Sequence, residues 1–265
     1  MARSPLHFHA RPALDDPALL LALEGWNDAG EAATSAVRFV ASELEAAPLA
    51  EIDGEEFFDF TVRRPLLAID DGLAHGLEWP HTRFGWTRAP AASGGGKRDL
   101  VTCCGVEPHL RWRSWSDHVL ELVAALGIRR VVLLGAYLGE VLYSRPVEVS
   151  GVASDPALLE ALDVPPVRYS GPTGMIGVLA LRLRERGCAV TSLWAGLPHY
   201  VEVNPNPRGA LALLERALPA LDVRLDLAAL RRSARVCEER VAAMVSGDPE
   251  LSEYVRELKR REFAQ

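Results

Sequence analysis

The chain lacks the features that mark several large functional classes. Its four cysteines, Cys103, Cys104, Cys188 and Cys237, form no C-x-x-C pair, which removes zinc ribbons and thioredoxin-type redox motifs. Adjacent Cys103 and Cys104 fall in the strand-like run Leu100 to Gly105 and read as small core hydrophobes. A chain so short of disulfide candidates fits a reducing compartment, and a cytoplasmic location is expected. No stretch approaches the ~20 apolar residues that span a bilayer. Ala18 to Leu23 and Val131 to Tyr137, the longest apolar runs, have the length of buried strands. Residues Met1 to His9 carry no apolar run ending in a small-residue cleavage site, so no leader is expected. Basic charge is not in excess either. Twenty-nine Lys and Arg against 36 Asp and Glu give a formal net charge of −7, and the arginines are scattered, which disfavours a nucleic-acid partner.

Catalytic signatures are also missing. There is no G-x-S-x-G elbow. Ser93-Gly94-Gly95-Gly96-Lys97 resembles a phosphate loop, but Lys97 is followed by Arg98 and the P-loop spacing is absent. The histidines, His7, His9, His75, His81, His109, His118 and His199, show no metal-ligand spacing, so neither a metal nor a cofactor is expected. Asp70-Asp71 places two carboxylates side by side, yet neighbours in sequence project apart, and Asp71-Gly72 reads as a turn.

What is present describes an ordinary globular chain. Of 265 residues, 49% are hydrophobic and 25% charged, enough for one α/β domain with an extension. Ala18 to Leu23 is apolar at every position, as in a strand covered on both faces. A helix follows, with Asp28 as N-cap, Glu31 at the capping-box position, and a stripe of Ala29, Ala33, Ala36, Val37, Val40 and Leu44. Arg129 to Gly135 and Cys188 to Ala195 read as two more buried strands. Helices from about Ser116 to Leu126 and Thr173 to Arg186 precede them, and another runs from about Pro207 to Leu218. Between them, Glu56 to Val62, Leu77 to Trp79, Thr82 to Arg88 and Asp99 to Cys104 read as strands, with Ala91 to Lys97 as an exposed loop. The pattern predicts a three-layer α/β/α sandwich with a mixed sheet over residues 1–222. Residues 223–265 form a C-terminal helical hairpin. Its seam is Leu227, Leu230, Ala234, Cys237, Val241 and Met244, then Leu251, Tyr254, Val255 and Leu258 beyond the break at Ser246-Gly247-Asp248-Pro249. That seam needs cover from the body or from another subunit.

In open α/β sheets ligands gather beyond the carboxyl ends of the strands. If the three buried strands are parallel, that edge collects Asn27, Asp28 and Glu31 after the first, Tyr137 and Glu140 after the second, and His199 and Tyr200 after the third. Thr173 adds a helix N-terminus with free N–H groups. These eight residues are the candidate binding cleft, with no catalytic residue assigned. Asp28 and Thr173 also fit simple capping roles, and Tyr137 and His199 simple packing.

Five ordered segments carry a family resemblance: Gly25-Trp26-Asn27-Asp28-Ala29-Gly30-Glu31-Ala32-Ala33; Glu107-Pro108-His109-Leu110-Arg111-Trp112; Gly135 to Val141 with Arg145-Pro146; Gly171-Pro172-Thr173-Gly174-Met175-Ile176-Gly177-Val178-Leu179; and Leu193 to Val201 with Asn204-Pro205-Asn206-Pro207. Together they resemble the PAC2 family over about 200 residues, and the helical tail resembles its actinobacterial branch. The resemblance implies a phosphorylase/hydrolase-like α/β/α fold. It also implies a link to chaperones that help assemble the proteasome core particle, and it supplies no catalytic residues. Docking chaperones of the wider family end in a hydrophobic residue, a tyrosine and one further residue. This chain ends Phe263-Ala264-Gln265, so docking through that tail is not expected.

Two functions follow as expectations. The first is an assembly or interaction protein, a homo-oligomer for which a trimer is one option, with proteasome components as possible partners and no nucleic acid or membrane. The alternative is a small-ligand binder or hydrolase/ligase-type enzyme using the cleft at the strand ends.

Overall fold

The computed structural model describes residues 4–263. Met1–Arg3, part of the N-terminal segment searched for a leader, and Ala264–Gln265 of the tail motif lie outside the described residues. In chain order the elements begin β1 (Leu6–Phe8), β2 (Ala18–Glu24), α1 (Ala32–Glu43), β3 (Ala47–Ile52), β4 (Leu66–Asp70), β5 (Leu73–Glu78), β6 (Thr82–Pro90) and β7 (Lys97–Val106). They continue α2 (Trp112–Ala125), β8 (Arg130–Gly139), β9 (Val149–Ala153), α3 (Pro156–Glu160), α4 (Met175–Glu185) and β10 (Ala189–Pro198). The chain then finishes with α5 (Pro207–Leu221), α6 (Ala228–Gly247) and α7 (Pro249–Phe263).

Eight strands form one sheet in the order β1-β3-β6-β7-β2-β8-β10-β9, and β4 and β5 form a separate two-stranded hairpin. The central strands β7, β2, β8 and β10 are parallel. The flanking β1, β3, β6 and β9 run antiparallel to their neighbours. The all-apolar character of β2 has a direct cause, because successive side chains point to opposite faces. Ala18, Leu20 and Ala22 pack with Ala33, Val37, Val40, Leu213 and Leu214 of α1 and α5. Leu19, Leu21 and Leu23 pack with Trp115, Val119, Ile176 and Leu179 of α2 and α4. Two helical layers therefore cover the sheet, giving the expected α/β/α sandwich with a mixed sheet.

The tail hairpin closes on its own body. Cys237, Val241, Val245, Val255 and Leu258 form a third cluster with Leu142 and Val201, and half-buried Tyr143, Tyr200, Val203 and Tyr254 pack against it. Val245 takes the place expected of Met244, which is exposed. No helix among the described residues is long and apolar enough to cross a membrane.

One expected strand is absent. Glu56 to Val62 is a run of turns. Phe57 and Phe58 both bond back to the Gly54 carbonyl, and the Asp59 carboxylate takes the Thr61 N–H and hydroxyl, so the aromatics are buried by a coil. The helix expected from Ser116 starts earlier, at Trp112, because Arg111 in the left-handed region (φ 51°) sets its start. Strands β1, β3, β4 and β9 arise where none was expected.

Candidate functional site

The parallel run of β2, β8 and β10 brings all eight candidate residues to one rim, as the topology requires. They divide there into separate neighbourhoods, and no single cavity is lined by all of them.

The first neighbourhood is polar and buried. Asp28 accepts bonds from the N–H groups of Ala33 (2.7 Å) and Thr34 (3.2 Å) and from the Thr34 hydroxyl. It thus caps α1 across an intervening turn, Ala29–Glu31, in which Gly30 and Glu31 are left-handed (φ 60° and 48°). Burial raises the Asp28 carboxyl above its ordinary value, against the lowering effect of the Thr34 and Ala33 bonds. The capping-box expectation for Glu31 is not met: its side chain makes no cap bond and faces Arg38 at 3.6 Å. Glu31 is itself the residue before α1 and not the third residue of that helix, so the capping-box spacing does not apply.

Asn27 is fully buried and donates to Glu107 Oε1 at 2.6 Å. The same oxygen accepts the Met175 N–H at 2.6 Å, capping α4. One carboxylate therefore joins the loops after β2 and β7 to the helix start that carries Thr173, and it fills the anion-attracting end of that helix. Gly174 has to be glycine, since a Cβ there would lie 2.3 Å from Asn27 Nδ2. Asn27 Oδ1 has no protein partner.

The second neighbourhood is a groove of about 670 Å³ on the α4 side of the sheet, beyond the last strands. Ser192 and Trp194 of β10 and Val152 of β9 form its floor, and Leu181 and Arg184 of α4 form one wall. Tyr137 and Thr173 stand at its upper end beside Trp26, which is 65% exposed. Leu138, next along the rim, is 59% exposed.

The third neighbourhood joins the rim to the tail hairpin. His199 Nδ1 lies 3.0 Å from the Gly139 carbonyl. A carbonyl only accepts, so Nδ1 carries the proton. The remaining nitrogen faces the Tyr254 hydroxyl at 3.4 Å. Tyr200 accepts the Tyr143 N–H and donates to the Val141 carbonyl, and burial pushes its phenol above the ordinary value. Glu140 is exposed and lines a separate hollow with Arg145, Arg208 and Arg261.

The cysteines behave as hydrophobes. Cys103 is fully buried with its thiol pushed far up by burial, and burial lifts Cys104 to about 11.

The model of the PAC2 family matches residues 22–245. The chain belongs to the PAC2 family. A PAC2 family protein from Streptomyces avermitilis is 42% identical, with a TM-score of 0.82 over 91% of this chain and 100% of that one. A Mycobacterium tuberculosis proteasome-assembly chaperone homologue is 40% identical, with a TM-score of 0.82 over 90% of this chain and 99% of its own. The archaeal proteasome activator PbaB of Pyrococcus furiosus, at 19% identity and a TM-score of 0.71 over 90% and 97%, shares the fold. No match is found among curated proteins.

Within this PAC2 chain, the family segments turn out to be the pieces that hold the rim together. Asn206 caps α5 through Gly209 N–H, and its own N–H reaches the Gly30 carbonyl at 2.7 Å. A Cβ on Gly30 would meet the Val203 carbonyl at 2.9 Å. Glu107, the residue that ties three segments together, stands outside the eight candidates. A lone glutamate two residues before a histidine carries no spacing that reveals it.

Proposed function

We propose that this PAC2 family chain is an assembly or interaction protein of the proteasome-assembly-chaperone-like kind, working as a homo-oligomer in the cytoplasm. Residues 1–222 serve as the working body and 223–265 as an extension braced on it. The observation that carries this reading is the chemistry of the rim. Its buried polar groups are mostly used up inside the protein: Asp28 by α1, Glu107 by Asn27 and α4, Tyr200 by the loop after β8. What the rim offers outward includes large aromatic and aliphatic side chains, Trp26, Tyr137 and Leu138, beside the exposed Glu31, Glu140 and His199. Internally spent polar groups leave little to bind or activate a small substrate, whereas exposed apolar rims suit contact with another polypeptide. Proteasome components are the proposed partners, by analogy with the mycobacterial homologue.

The test is affinity purification of the tagged full-length chain from its native cell, followed by mass spectrometry. Proteasome core subunits should be enriched over an unrelated bait, and Trp26→Ser with Leu138→Ser should lose them while keeping its circular dichroism melt. Equal recovery with the wild-type chain and the unrelated bait would contradict the reading.

A further inference from the structure

The β4–β5 hairpin is the least explained element of the molecule. Every residue from Leu66 to Asp70 and from Leu73 to Glu78 is exposed. Register and strand alternation put Leu67, Ile69, Ala74 and Leu77 on one face, and Leu66, Asp70, Leu73 and Glu78 on the other. Leu67, Ile69 and Leu77 are 55%, 64% and 50% exposed. An isolated two-stranded ribbon is marginal in water, so an apolar face on such an arm calls for a cover. The tip of the arm is acidic, Asp70-Asp71-Gly72.

A complementary surface lies at the other end of the sheet. The groove floored by Val152 and Trp194 is walled by Tyr169 and Leu181, and its only charged lining residues are Arg168 and Arg184. The arm leaves the body between β3 and β6, and the groove sits at β10 and β9. Five strand spacings separate β6 from β9 in the sheet order, roughly 24 Å at ~4.8 Å each. A five-residue strand such as β4 reaches only about 17 Å. The arm cannot fill the groove of its own chain, and one chain carries both halves of the contact.

We propose that the β4–β5 arm of one copy lies in the β9–β10 groove of a second copy, with Leu67, Ile69 and Leu77 over Val152 and Leu181 and with the turn carboxylate Asp71 against Arg168 and Arg184. This deepens the homo-oligomer part of the function proposed above and rests on it. Such a contact joins two different patches. It is therefore head-to-tail and repeats from copy to copy until a ring closes.

Sedimentation velocity and light scattering on the full-length chain test it. The wild type should be a discrete oligomer, and Leu67→Asp with Leu77→Asp should sediment as a monomer. Asp71 sits at the turn in the left-handed region (φ 47°), which asparagine also adopts, so Asp71→Asn keeps the turn and should weaken the oligomer; Asp71→Lys should dissociate it, and adding Arg168→Glu and Arg184→Glu in the same chain should restore it. Leu67→Cys mixed with Leu181→Cys should give an inter-chain disulfide that neither protein gives alone. An oligomer unchanged by both the arm variants and the charge reversal overturns the arm contact and leaves the homo-oligomer standing. A monomeric wild type overturns the homo-oligomer, and the arm contact with it.

Discussion

Asp222 shows how single side chains brace this fold. It ends α5 in the left-handed region (φ 56°) and receives the Ser93 N–H at 2.8 Å and Arg98 Nη2 at 2.7 Å. The Ala92 N–H reaches its carbonyl. The glycine-rich loop that resembled a phosphate loop is thus anchored at the edge opposite the rim, where β7 begins. Arg98 first and Ser93 second pull the Asp222 carboxyl down to about 2. A lowered carboxyl contributes stability that is full above the unfolded value of ~3.9 and is lost as pH falls toward about 2. In melting curves recorded from neutral to acid pH, the wild type should therefore lose stability more steeply than Asp222→Asn below ~pH 4. Parallel curves for the two proteins would deny the Arg98 pairing its role. The rim was legible at this scale only in part. Asp28 announced itself as a cap through its place before an apolar stripe, although its partners lie five and six residues on, beyond a turn that no local rule supplies. Glu107 and Asn27 meet across 80 positions of chain, a pairing set by the sheet and invisible to spacing.

Among the elements, strands β2, β8 and β10 and their helices were legible because burial on both faces demands an unbroken apolar run. The outer strands and the separate arm were not, since each asks for less. β3 begins Ala47-Pro48 and leaves its first two residues exposed, β9 holds a central glycine, and the β4–β5 arm touches no core. Glu56 to Val62 misled in the opposite direction, as three phenylalanines suggest a strand wherever their burial comes from. The tail hairpin was legible as helices, but the cover for its seam was not. Leu142 and Val201, which provide it, belong to loops after β8 and β10. Leu258 is 7% exposed in that seam. Leu258→Ala should cost about 2–3 kcal/mol in urea unfolding, with α7 amides exchanging faster than those of β2. A change under ~0.5 kcal/mol, as expected of a surface position, would mean the seam is not held by the body.

For the whole molecule, the mixed sheet, its parallel centre and the family segments agree on one rim, where Asn27, Asp28 and Glu107 are bonded inward and Trp26, Tyr137 and Leu138 face outward. A net charge of −7 opposes loose self-association, so lasting contacts between copies or with partners depend on shaped apolar surfaces such as the rim, the arm and the groove. On the function proposed above, this PAC2 chain acts on other polypeptides during assembly. The most direct measurement mixes separately purified proteasome α- and β-subunits from the same organism and follows formation of the complete core particle by native gel, with and without the full-length chain. Particle formation should be faster or more complete with the wild type, with no such gain for the Trp26→Ser and Leu138→Ser variant. Identical time courses with and without the wild-type chain would contradict that function.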